Sequence, residues 1–75
     1  NIEVDFYVPE GKLAIQASYS IRGDETRERE TEGLKKFPKV HPCERRVIIT
    51  YDEEETITDA LGTIEVIPYW KWALK

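Results

Sequence analysis

The 75-residue sequence predicts a small α/β fold, α+β in layout, built on a mixed four-stranded sheet. Three observations carry that expectation. Residues 2–21 alternate apolar and polar side chains through two runs separated by a Pro-Gly turn, the pattern of a β-hairpin. Residues 25–36 are almost all good helix formers. Residues 46–51 and 63–67 are short runs rich in β-branched side chains, the first of them the pattern of a strand covered on both faces. With a last short helix at 69–74, the order is β-β-α-β-β-α in a single domain spanning 1–75. That length is near the limit at which one core suffices.

The hairpin has a derivable register. In the first strand, 2–8, Ile2, Val4, Phe6 and Val8 share one parity and Glu3, Asp5 and Tyr7 the other. In the second, 13–21, Leu13, Ile15, Ala17, Tyr19 and Ile21 alternate with Ala14, Gln16, Ser18 and Ser20. The Pro9-Glu10-Gly11-Lys12 stretch is turn chemistry, with Gly11 free to take positive φ. If Pro9 faces Lys12, Val8 meets Leu13, Phe6 meets Ile15, Val4 meets Ala17 and Ile2 meets Tyr19. A slip of one residue would turn a whole strand over. The apolar parity is expected to face inward. The same register sets Asp5 opposite Gln16 and Glu3 opposite Ser18 on the polar side, where any chemistry should begin.

Beyond the hairpin, Arg22-Gly23 breaks the strand and Asp24 is the expected N-cap of the helix. Glu25 with Arg29 and Glu32 with Lys36 are i,i+4 pairs in the favourable orientation, and the acidic start and Lys35-Lys36 end suit the helix dipole. Its apolar face, Leu34 and Phe37, is thin. Two prolines stop the helix and stiffen 37–44. The strand–helix–strand order then predicts a right-handed crossover with parallel strands. The acidic run Asp52–Asp59 lacks the alternating ligands and central glycine of a Ca²⁺ loop. It reads as a solvated loop with, at most, a short strand at 56–58. After Ala60-Leu61-Gly62 turns the chain, Pro68 suits the first position of the terminal helix, and its tryptophans are expected to anchor it on the sheet rather than form a ligand platform.

Net charge is −4 with a pI near 5.0, so bulk electrostatics do not favour a polyanion partner. No apolar run approaches the ~18 residues of a membrane span. The single cysteine, Cys43, forms no internal disulfide, which fits a reducing cytoplasm and an inert thiol better than a nucleophile. His41 lacks partners at metal-ligand spacing. A sequence without Met, with one Asn and one Gln against a charged fraction of 35%, has the composition of a thermophilic protein. A strand beginning at residue 2 reads as part of a longer polypeptide.

Several stretches together resemble a known family. They are Glu3-Val4-Asp5-Phe6, Ile15-Gln16-x-Ser18-Tyr19, the helix with Glu25, Thr26, Arg29 and Glu30, and the ending Ile67-Pro68-x-Trp70-Lys71-Trp72. The pattern, over essentially the whole chain, resembles the C-terminal nuclease-like domain of prokaryotic and archaeal AAA-type P-loop ATPases. No Walker A sequence is present, so the resemblance implies an ATPase module elsewhere as partner. It also implies a restriction-endonuclease-like core, in which an Asp on one strand and a Glu-x-Lys on the next hold Mg²⁺ and activate water.

Position by position, Asp5 takes the Asp place, Gln16 the Glu place and Ser18 the Lys place. Gln16 is a weaker metal ligand and Ser18 has no charge, so the site is expected to be degenerate and non-catalytic, with a binding or structural role. The plainest reading of these residues is a solvent-facing strand surface. A divergent nuclease would need Asp5 to hold Mg²⁺ with Glu3 as second carboxylate; otherwise no cofactor is implied. Weak nucleic-acid binding would fall to Lys35, Lys36, Lys39, Arg45 and Arg46, which otherwise read as solubilising charge at a helix end. An exposed sheet edge docking a partner is the remaining alternative.

Overall fold

The structure, a computed structural model, describes residues 4–74. In chain order its elements are β1 (Phe6–Val8), β2 (Leu13–Ala17), α1 (Asp24–Lys36), β3 (Arg45–Thr50), β4 (Glu55–Asp59), β5 (Gly62–Pro68) and α2 (Tyr69–Ala73). Short 3₁₀ turns at Pro9–Gly11 and Phe37–Lys39 follow β1 and α1. The strands form one mixed sheet in the order β1-β2-β3-β5-β4. The β2–β3 and β3–β5 pairs are parallel, and the outer pairs β1–β2 and β4–β5 are antiparallel.

The hairpin register is the one its alternation demands: Phe6 faces Ile15, Tyr7 faces Ala14 and Val8 faces Leu13. The helical connection makes β2 and β3 parallel, with Ile15 beside Val47 and Gln16 beside Ile48. Ile2 and Glu3, and with them the Ile2–Tyr19 and Glu3–Ser18 pairings, lie outside the described residues.

Five strands, rather than four, make up the sheet. The additional one is β4, in the acidic stretch expected to be a loop with at most a short strand at 56–58; it runs over Glu55–Asp59. Ile57 faces Ile64 and packs against the core, while Glu55 and Asp59 at the strand's ends are neutralised by Arg27 and Arg46. The second strand also stops at Ala17, not at residue 21. The backbone stays bonded to β3 as far as Tyr19, through Ser18 N–H to the Ile49 carbonyl and Tyr51 N–H to the Tyr19 carbonyl. Ser18 Oγ then donates to the Ser20 carbonyl and Ser20 Oγ accepts from Arg22 N, which turns the chain out of regular strand. Asp24 is the first helical residue rather than the cap. Gly23 precedes it at φ 89°, a conformation disfavoured for any residue with a Cβ. Positive φ at the hairpin turn falls on Lys12, at 50°, because Pro9–Gly11 forms a 3₁₀ turn whose exit residue swings left-handed to donate to the Pro9 carbonyl.

Val4 packs against the core as its parity predicts, but within β1 the inward parity is the reverse of expectation. Tyr7 packs against the core and against Phe37, whereas Phe6 is 62% exposed. The core lies between the sheet and α1, on the face carrying Ala14, Ile48, Ile64 and Val66, closed by Ile21, Leu34 and Phe37. The parity of Phe6 and Val8 belongs to the second face, shared with Ile15, Val47 and Ile49 through the strand register. That face carries only the five-residue α2, held where Arg45 lies over the Trp72 ring at 5.4 Å. Among the described residues, no helix is long and apolar enough to cross a membrane.

Candidate functional site

Asp5 sits just before β1, where the strand geometry has ended, and its carboxylate completes what the ladder leaves open. Asp5 Oδ2 accepts the Ala17 N–H at 2.9 Å, and the Asp5 N–H donates to Gln16 Oε1 at 3.3 Å. The fold therefore joins the two residues that the register sets opposite each other. Gln16 lies on the α1 face, where its Nε2 donates to Glu30 Oε1 at 3.0 Å. Glu30 is largely buried and its second oxygen lies 3.5 Å from Arg29 Nε. Only an amide suits position 16 here, accepting on one side and donating on the other. A carboxylate there would confront Glu30 with like charge. Ser18 is not part of this chain of bonds, since its hydroxyl serves the Ser20 carbonyl. Glu3 lies outside the described residues.

The five basic residues are not gathered into one patch. Arg45 and Arg46 are neighbours on a strand and therefore face opposite sides of the sheet. Arg46 is buried and makes two bonds to the Asp59 carboxylate, at 2.7 and 2.8 Å, and a third to the Leu34 carbonyl at 3.2 Å. Arg45 makes two bonds to Glu65, at 2.6 and 2.9 Å, on the α2 side. Lys36 is paired with Glu32 at 2.7 Å, and Lys35 and Lys39 are exposed.

The acidic run serves as a row of braces. Asp52 and Glu53 share Arg22, Glu54 pairs with Lys71, and Glu55 makes two 2.7 Å bonds to Arg27. Glu53 also accepts from Ser20 Oγ and from the Ile21 N–H at 2.9 Å, tying the end of β2 to the β3–β4 loop. The Arg27 bonds hold the Glu55 carboxyl below its usual range, and the Arg46 bonds lower Asp59 to about 2.

Cys43 donates to the Arg45 carbonyl at 3.4 Å and burial pushes its thiol up, away from thiolate chemistry. His41 stacks on Phe37 with ring centres 4.8 Å apart. Among the described residues, no group of three or more His, Cys, Asp or Glu side chains is placed to hold a metal ion.

Sequence reasoning passed over two features. Glu30 carries no local signal, because nothing in the helix pattern shows that it reaches Gln16. The second is a column of three tyrosines past the carboxyl ends of the parallel strands β2, β3 and β5. Tyr19 and Tyr51 stack at 5.1 Å and 18°, and Tyr51 and Tyr69 at 5.7 Å and 28°. All three are at least half exposed, Tyr19 at 75%. With Ala17 and Ile49 they line an open depression of about 350 Å³. A signal was present in the sequence: a tyrosine one or two residues beyond each of three strand ends.

No family model and no solved structure matches the chain. It is 36% identical over 81 residues to an uncharacterized protein of Methanocaldococcus jannaschii, a match that takes in 99% of this chain. The chain spans 18% of the length of that archaeal relative.

Proposed function

We propose that this chain is a nuclease-like module that does not cut, with a binding role beside an ATPase module of the same or a longer polypeptide. One observation carries the non-catalytic reading: the bond chain Ala17–Asp5–Gln16–Glu30. At the places where the resemblance sets metal ligands, Asp5 accepts a backbone N–H and Gln16 bridges two neighbours. The polar groups thus hold β1, β2 and α1 together. The antiparallel hairpin followed by a helical crossover to a parallel strand supports a restriction-endonuclease-like core, with β4 as an added edge. The match to a segment of a longer archaeal protein supports a place within a longer polypeptide.

A cleavage assay tests the reading. The chain is incubated with supercoiled DNA and with single-stranded RNA in 10 mM Mg²⁺ or Mn²⁺, alongside Asp5→Ala. The expected result is no metal-dependent cleavage above buffer by either protein. Cleavage by the natural sequence that Asp5→Ala abolishes would overturn the proposal in favour of a divergent nuclease, in which Asp5 and Glu3 hold the metal.

A further inference from the structure

We propose that the tyrosine column is a docking groove for an arginine-bearing segment of a partner protein. The inference rests on the non-cutting, binding reading above, and gives that reading a surface and a partner chemistry.

Three properties of the groove select its occupant. The first is its position. It lies at the carboxyl ends of β2, β3 and β5, beside α2 on the sheet face opposite α1. Ligands of open sheets with parallel strands collect at such ends. The second is the aromatic surface. Tyr51 is stacked between Tyr19 and Tyr69, and the electron-rich ring face of Tyr19, the most exposed of the three, attracts a planar cation. The same fold already makes one such contact, Arg45 over Trp72.

The third is charge. The groove lining itself is uncharged. Asp5 is bonded to the backbone of Ala17 at one side of it, and Asp52, half exposed and paired with Arg22, follows Tyr51 directly. Two carboxylates against one cation leave this rim more negative than positive, as is the whole chain at −4. A phosphate backbone would meet repulsion here, whereas a guanidinium gains both the carboxylates and the rings. Tyrosine and arginine are also the side chains over-represented where protein interfaces concentrate their energy.

The test is an NMR titration of the chain with an acetylated, amidated tetra-arginine peptide at low ionic strength. Parallel titrations use tetra-lysine, tetra-glutamine and a 12-nucleotide single-stranded DNA. The expected result is a saturable shift of the Tyr19, Tyr51 and Tyr69 ring resonances with tetra-arginine. Tetra-lysine should bind severalfold more weakly, and the glutamine peptide and DNA should leave the rings unmoved. Tyr51→Ala should weaken tetra-arginine binding at least tenfold, and Tyr51→Phe should retain it. Tyr19→Ala, at the most exposed ring, serves as a second variant if Tyr51→Ala does not fold.

Unshifted rings, or arginine binding indifferent to both alanine variants, would overturn the groove. Ring shifts on adding DNA, or a concentration-dependent dimer that buries the rings without peptide, would also overturn it, in favour of nucleic acid or a second copy. DNA cleavage in the assay above, with ring shifts still present, would remove the non-cutting reading and leave the groove standing.

Discussion

Arg46 is the residue whose loss the molecule can least absorb. It is buried on the α1 face with its charge answered by Asp59 and a further N–H taken by the Leu34 carbonyl. Removing one partner strands a charge away from water, at a cost of about 3 kcal/mol. Asp59→Asn is expected to destabilise by about that much at pH 7, measured by urea unfolding. The bond to Arg46 lowers the Asp59 carboxyl from 3.8 to about 2, so its stabilising contribution is complete above pH ~4 and is lost as pH falls toward 2. The natural protein should therefore lose stability through that window more steeply than Asp59→Asn. Equal slopes would mean that the carboxylate is not held by Arg46. Contacts of this kind differ in legibility. The meeting of Asp5 and Gln16 follows from the turn and a period of two. The Arg46–Asp59 and Gln16–Glu30 bonds do not, because each joins elements whose relative placement no local pattern specifies.

Among the elements, α1 depends most on a single anchor. Over its 13 residues only Thr31 and Leu34 are buried, and Thr31 turns its hydroxyl back to the Arg27 carbonyl at 2.8 Å. The thin apolar face was legible in the sequence, as were the crossover and the parallel β2–β3 pair. Which sheet face the helix would cover was not: the central strands are apolar on both sides, with Val47 and Ile49 opposing Ile48, so the hairpin's greasier parity was a poor guide. β4 was hidden for a different reason. Its acids read as solvated loop until Arg27 and Arg46 are seen to neutralise them. Leu34→Ala should cost about 3 kcal/mol, since it leaves a cavity between helix and sheet. Amide exchange should show α1 losing protection before β3 and β5. A loss below about 1 kcal/mol, or an even loss across the sheet, would show that the helix is held by its ion pairs instead.

At the scale of the whole molecule, the ion pairs are arranged as ties between elements. Arg27–Glu55 joins α1 to β4, Arg46–Asp59 joins β3 to β4, Arg45–Glu65 joins β3 to β5, and Lys71–Glu54 joins α2 to the β3–β4 loop. Lys12–Glu44 ties the hairpin turn to the start of β3. An isolated exposed pair contributes little at 25 °C. Ties of this number matter more on heating, because the cost of desolvating charges falls with temperature while burial of apolar surface gains little further. All three of these arginine ties, from Arg27, Arg45 and Arg46, are two-bonded, the geometry that a planar guanidinium holds with least loss of freedom. A core this small would by itself give ordinary or low stability. The melting temperature is therefore expected above the ~45–65 °C range of mesophilic domains. Arg27→Gln and Arg45→Gln together should lower it more than their separate effects on urea unfolding at 25 °C imply. A melting point inside the mesophilic range would mean that the ties offset little more than their own desolvation.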